Sequence, residues 1–134
     1  MEIYNDKYRE VSFEADTKIL HQIWHKATED MTIEEYKEAS LSLANEVKNH
    51  RATRILNNAV DSLFVVTPEI QDWVNKNVVS QFLQAGLQKY AIILPSELFT
   101  QVSIEQIVDD TQEVAQKRIN YFDDEAKARE WLLN

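Results

Sequence analysis

Residues 51–94 constrain the fold more than any other part of the chain. Its first part contains the apolar pair Ile55-Leu56, which is typical of a buried strand. After Thr67-Pro68, apolar residues recur at helical spacing, and the stretch ends with the apolar run of residues 89–94. A threonine followed by proline is typical of a helix start, because the threonine oxygen caps a free amide and proline lacks the N–H that would go unpaired there. Gly86, the only glycine, stands where a left-handed residue would end that helix. The stretch therefore predicts a strand, a helix and a second, parallel strand.

The rest of the chain predicts further strands and helices around this unit. Residues whose side chains alternate between two faces in 8–13 and 19–25, on either side of a polar turn, predict an antiparallel hairpin. Residues 2–4 either extend its first strand or form a separate edge strand. Capping boxes at 32–35 and 103–106 each predict a helix start, and the first helix should end near residues 49–50. A short turn is predicted at Ser96, a last strand at 118–122, and a last helix from Asp123 or Asp124.

The predicted fold is therefore an α/β sandwich in the order β-β-α-β-α-β-α-β-α. Its mixed sheet has about five strands and is parallel in its second half. Two helices carry apolar stripes that we expect to face the sheet. The stripe of the first helix consists of Ile33, Tyr36, Leu43 and Val47. That of the second consists of Ile70, Trp73, Val74, Val78 and Phe82.

Composition narrows the functions open to the chain. A length of 134 residues predicts a single domain over residues 1–134. With no cysteine, disulfides, thiolate metal sites and cysteine nucleophiles are excluded. The net charge of −9, with lysines and arginines scattered along the sequence, predicts no nucleic-acid partner. Apolar runs of about five residues are far shorter than a bilayer requires, which predicts no membrane insertion and a cytoplasmic location.

Catalytic and metal-binding patterns are missing from the sequence. His21 and His25 would lie about 13 Å apart on one strand face, too far for both to bind one zinc ion. The acidic pairs at 34–35, 109–110 and 123–124 fall on capping turns or polar helix faces. A single glycine excludes a glycine-rich phosphate loop and a Gly-x-Ser-x-Gly elbow. We therefore expect no enzyme, no cofactor and no metal.

Four segments resemble the SpoIIAA-like family, whose members are relatives of the STAS domains of sulfate transporters and anti-sigma-factor antagonists. They are residues 32–36, 67–73, 85–91 and 121–126 with Trp131-Leu132, in that order. The resemblance implies a STAS-like sandwich and a non-catalytic regulatory or protein-interaction module of bacterial type. The partner it implies is another protein, such as a kinase-type regulator, and a homodimer is a further expectation.

The same resemblance suggests a phospho-switch before the second helix, at Ser62 or Thr67. Anti-sigma-factor antagonists carry Asp-Ser-Ser-Gly at this place, whereas here Asp61-Ser62 is followed by Leu63-Phe64. A helix cap explains Thr67 and a loop position explains Ser62 more simply, and we favour those interpretations. The expected working surface is residues 58–72. Within it, residues 63–66 are either a buried strand extension or part of a dimer or partner surface.

An alternative function is binding of a small molecule or lipid, as in a related lipid-transfer fold. Asn57 and Asn58 end a predicted parallel strand, and ligands of open α/β sheets bind at the carboxyl ends of such strands. Turn chemistry is the simpler explanation for both asparagines, since asparagine tolerates left-handed backbone and bonds its own turn.

Overall fold

One mixed sheet organises the chain. The computed structural model describes residues 1–95, Leu98 and residues 118–134, and within them six strands follow one another across the sheet in chain order. They are β1 (Glu2–Asn5), β2 (Arg9–Glu14), β3 (Ile19–Trp24), β4 (Arg54–Asn58), β5 (Lys89–Ile93) and β6 (Ile119–Phe122). Strands β1 to β3 pair antiparallel, and β3 to β6 pair parallel. The predicted hairpin and parallel second half are confirmed, while the count of about five strands was low because residues 2–5 form an edge strand of their own.

The helices begin where the capping signals predict. They are α1 (Ile33–His50), α2 (Pro68–Val74), α3 (Ser80–Gln84) and α4 (Glu125–Leu133), with a π-helical segment (Asn75–Val79) joining α2 to α3 and a 3₁₀ turn (Lys26–Asp30) before α1. Thr32 and Glu35 form the full capping box, Thr67 caps α2, and Asp124 caps α4. No helix in these described ranges is long and apolar enough to cross a bilayer.

Gly86 ends the α2–α3 helix in a left-handed conformation, with φ of 88°. Its N–H donates to the carbonyl of Leu83 at 3.1 Å, and the N–H of Leu87 donates to that of Phe82 at 3.0 Å. This pair of bonds is a Schellman motif, and the side chains of Leu87 and Phe82 join the same core. The predicted role of the glycine is confirmed.

The helices cover the two faces of the sheet unequally. Right-handed crossovers between parallel neighbours in sequential order place α1 and the α2–α3 helix on the same face. There Leu43, Val47 and Phe82 pack against Leu20 and Ile55 of the strands. Helix α4 covers the other face. Its contacts come from Ala128 and Leu132 on Ile19, Leu56, Ala91 and Ile93.

Two expectations about apolar residues need correction, and two further expectations concern residues outside the described ranges. Ile33 is half exposed and lies in the first turn of α1, so it does not join the core with the rest of the predicted stripe. Residues 63–66 do not extend a strand, since β4 ends at Asn58. The predicted turn at Ser96 and the helix from Ser103 lie outside the described residues.

Candidate functional site at the carboxyl edge of the sheet

A chain of polar side chains crosses the face of the sheet that α1 and the α2–α3 helix cover, with one side chain contributed by each of five adjacent strands. Arg9 donates through its two terminal nitrogens to the Tyr4 hydroxyl and the Gln22 amide oxygen. Gln22 and Asn57 are direct neighbours across β3 and β4. Asn57 Nδ2 then donates to the Tyr90 hydroxyl at 2.9 Å. We call these five residues the polar ladder.

Aromatic rings contact the buried guanidinium of Arg9, and the carboxylates of Asp6 and Glu46 act on it from farther away. Arg9 is 3% exposed, and its guanidinium carbon lies 4.9 Å from the ring centre of Tyr4 and 5.6 Å from that of Trp24. Among the described residues no carboxylate lies within 4.0 Å of it. Burial lowers the pKa of Arg9 from its usual value. An arginine titrates far above neutral pH, so the ladder carries a fixed positive charge held by hydrogen bonds and ring faces.

Asn57 leaves a buried acceptor unpaired at the carboxyl end of β4. The residue is 8% exposed, and its Oδ1 has no hydrogen-bond partner among the described residues. An unpaired buried acceptor costs about 1–3 kcal/mol, and native proteins keep few of them. This oxygen is therefore a hydrogen-bond acceptor that is buried and unpaired within the described residues.

Three phenols surround this end of the ladder. Burial raises the pKa of Tyr90, and the nearby phenol of Tyr36 raises it further. Burial likewise raises the pKa of Tyr36 and of Tyr121. All three hydroxyls stay protonated near neutral pH, whereas a general acid or base works best with a pKa near the working pH. Their chemistry suits hydrogen bonding and packing.

An aromatic stack fixes the loop that follows β4. The ring of Tyr36 lies between Trp24 of β3 and Phe64 of the loop, with centroid distances of 5.9 and 4.5 Å. The N–H of Leu63 also donates to the hydroxyl of the buried Thr28 at 2.9 Å. Residues 59–67, the edge loop, are thus held in place although they form neither helix nor strand.

The edge loop turns four apolar side chains outward while Phe64 anchors it. Val65 is 76% exposed. Val60, Leu63 and Val66 are each at least 40% exposed. Adjacent exposed apolar side chains on a fixed backbone are typical of a binding surface, since scattered ones are ordinary but clustered ones are uncommon.

The structure brings only part of the predicted site together. Asn57 joins the polar ladder, whereas Asn58 accepts the N–H of Val60 at 3.1 Å in an Asx turn, as turn chemistry predicts. Thr67 accepts the N–H of Ile70 at 3.4 Å and is the helix cap. Ser62 is a partly buried loop residue whose N–H donates to the Ala59 carbonyl.

His21 and His50 each lie beside a glutamate, whereas His25 follows β3 at this edge, where its carbonyl accepts a hydrogen bond from the Thr28 hydroxyl. His21 Nε2 is 2.8 Å from Glu14 Oε2, and His50 Nε2 is 3.2 Å from a carboxylate oxygen of Glu46. Hydrogen bonds from Arg129 and His21 lower the pKa of Glu14 to about 2. No group of three or more histidine, aspartate or glutamate side chains in the described ranges could hold a metal ion.

Sequence reasoning missed most of the ladder. The signal was present, because Arg9 and Gln22 occupy inward positions of strands whose other inward residues are apolar. A polar residue in such a position is either paired with another or functional. The meeting of Tyr36, Tyr90 and Tyr121 depends on which strands become neighbours, and no local pattern encodes that.

Comparison with family models, with curated proteins and with solved structures found no match to this chain.

Proposed function

We propose that this chain is a non-catalytic regulatory module, resembling the SpoIIAA-like type, that binds a partner protein through the edge loop. The observation that carries the proposal is the outward row of Val60, Leu63, Val65 and Val66 on a backbone fixed by Phe64 and Thr28. A preorganised loop loses little conformational entropy on binding, so apolar contacts contribute more of their free energy to affinity.

Ser62 gives this surface a means of regulation. It lies in the edge loop directly before the outward-facing Leu63. A phosphate there would place about two negative charges in an apolar contact, which opposes docking through desolvation. Thr67 is the second candidate, at the end of the same loop, and its hydroxyl already serves the helix cap. Phosphosite mapping after incubation with host extract and ATP tests both residues, and absence of phosphate at both of them removes the switch.

The partner surface is tested by substitution at Val65. The tagged chain is purified gently from its own host, and the bound protein is weighed by native mass spectrometry. We expect a stoichiometric partner that Val65→Asp loses. The matched control is Leu133→Asp, at an exposed apolar residue of α4 near the opposite edge of the sheet. Equal retention of the partner by both variants would count against the edge loop, and a mass of two chains would identify the partner as a second copy.

A second candidate function is binding of a small molecule at the Asn57 end of the polar ladder. The unpaired Oδ1 of Asn57, beside the phenols of Tyr36 and Tyr90, favours a ligand with an N–H or O–H donor and a flat apolar part. A co-purifying small mass that Asn57→Leu abolishes would support this function. A bare chain from the same gentle purification would oppose it.

A further inference from the structure

Basic side chains that are scattered along the sequence gather at one edge of the fold. The amino ends of the parallel strands, opposite the edge loop, carry or adjoin six of the chain's 14 lysines and arginines. They are Lys18, Lys48, Arg51, Arg54, Lys89 and Arg118. The expectation that basic residues are dispersed therefore holds for the sequence but not for the fold.

Three of these six cations donate hydrogen bonds to backbone carbonyls. Arg54 and Lys89 donate to backbone carbonyls at the carboxyl end of α4 at 2.6–2.8 Å. Arg118 donates to the carbonyl of Leu87 at 3.0 Å. These bonds tie the ends of elements together and account for the positions of the three side chains.

The other three cations line an open cleft of about 400 Å³. Its walls are Lys18, Lys48, Arg51, Thr53, Val47 and Ala85, a set that includes no acidic residue. Within the described part of the chain, none of the three cations has a carboxylate within 4.0 Å. Lys48 Nζ donates to the amide oxygen of Gln81 on α3 at 2.7 Å, a neutral partner that does not compensate its charge. In a chain of net charge −9, such a grouping marks a local positive potential.

The backbone of the cleft is both strained and well fixed. Lys18 and Arg51, with φ of 58° and 54°, are the non-glycine residues with positive φ in the described ranges. Left-handed backbone costs about 1–2 kcal/mol for such residues, and glycine or asparagine adopts it more easily. The Lys18 carbonyl accepts the N–H groups of Thr53 and Arg54, both at 3.2 Å. Basic residues at the two strained positions indicate that their charge has a role at this place.

The dipole of α1 explains part of this charge but not all of it. Lys48 and Arg51 stand at the carboxyl end of α1, where cations compensate a dipole equivalent to about half a negative charge. Two full charges already exceed that requirement, and Lys18 is added by a separate turn before β3. The cleft therefore keeps a net positive charge after the helix end is compensated.

We propose that this cleft binds a small phosphate-bearing anion. The Arg51 guanidinium can hold two phosphate oxygens at once, the ammonium groups of Lys18 and Lys48 supply charge, and the Thr53 hydroxyl supplies a further donor. A volume of about 400 Å³ exceeds what a phosphate group needs and admits a small ester attached to it. The overall negative charge repels an extended polyanion, so a small ligand fits better than a nucleic acid.

The test is a titration with inorganic phosphate, followed by amide chemical shifts in ¹H–¹⁵N spectra at constant ionic strength. We expect saturable shifts at Lys18, Arg51 and Thr53 that chloride does not reproduce. Arg51→Gly removes the guanidinium and relieves the positive φ, so it should weaken phosphate binding at least about tenfold without lowering the Tm. Lys48→Gln is a second variant, expected to weaken binding while leaving the α1 cap intact.

The matched control is Lys76→Gln, which removes the same charge from an exposed residue of the π-helical segment. It should leave the phosphate affinity within about twofold of the wild-type value, since Lys76 does not line the cleft and is already paired with Asp72. Equal shifts with chloride, shifts that do not saturate, or unchanged affinity in Arg51→Gly would each overturn the proposal. Because the cleft lies at the edge opposite the edge loop, none of these outcomes bears on partner binding.

Discussion

Replacing Asn57 and Tyr90 together, as Asn57→Leu with Tyr90→Phe, is expected to stabilise the chain. Asn57 is 8% exposed and has an unpaired Oδ1, and its one side-chain hydrogen bond goes to Tyr90 at 2.9 Å. Removing the unpaired oxygen recovers about 1–3 kcal/mol, and losing the single bond costs about 0.5–1.5 kcal/mol. Additional apolar burial by leucine contributes on the order of 1 kcal/mol.

The net expectation is a rise of about 2 kcal/mol in the free energy of unfolding, or roughly 6–8 °C in Tm. Urea unfolding followed by tryptophan fluorescence gives the free energy, and a thermal scan gives the Tm. Asn45→Leu, at an exposed position of α1, is the control and should change stability by less than about 0.5 kcal/mol. Destabilisation of the double variant by more than about 1 kcal/mol would refute the reasoning, because it would mean that the Asn57 oxygen contributes a structural bond.

Three further predictions concern stability. Glu14→Gln should remove about 1 kcal/mol at neutral pH, less than its pKa of about 2 would imply in isolation, because a carboxylate side chain that is 33% exposed is partly screened. Folding lowers that pKa from its usual 4.5, so the wild-type chain should keep this contribution above pH 4.5 and lose it as the pH falls towards 2. Urea unfolding at a series of pH values should show this loss in the wild-type chain and not in the variant. Gly86→Ala should cost about 1–2 kcal/mol from backbone strain alone, since no atom lies within 4 Å of an added Cβ, and a loss above about 3 kcal/mol would instead indicate a clash. Thr32→Ala should cost about 1 kcal/mol by opening the capping box, and Thr32→Ser should restore most of it in the same unfolding assay.

Local chemical signals explain why much of the fold could be predicted. The capping box at Thr32, the Thr67-Pro68 pair and Gly86 each act within a few residues, so the sequence alone encodes them. The parallel second half follows from strands alternating with helices, because a crossover to an adjacent strand has one favoured hand. Strand β1 was harder to assign, since its four residues are partly exposed and show no strict alternation.

The candidate sites depend on which distant residues become neighbours. Asn57 was predicted from its place at the end of a parallel strand, a rule that comes from sheet topology. Its pairing with Tyr90, and the approach of Tyr36 from α1, needed the register of the folded sheet. The grouping of basic residues at the amino ends of the parallel strands also depends on the fold. Lys18 and Arg51 are more than 30 residues apart and meet only when β3 and β4 pair.

The partner surface is most directly tested by photo-crosslinking from position 65. A benzoylphenylalanine replaces Val65 in one variant and Leu133 in another, both exposed, and each is irradiated in host cells before the adducts are mapped by mass spectrometry. We expect one dominant protein adduct from position 65 that is absent from position 133. Its yield should fall when the wild-type chain is co-expressed. Adducts of equal yield and identity at the two positions, or none at position 65, would contradict the assignment of the edge loop as the binding surface.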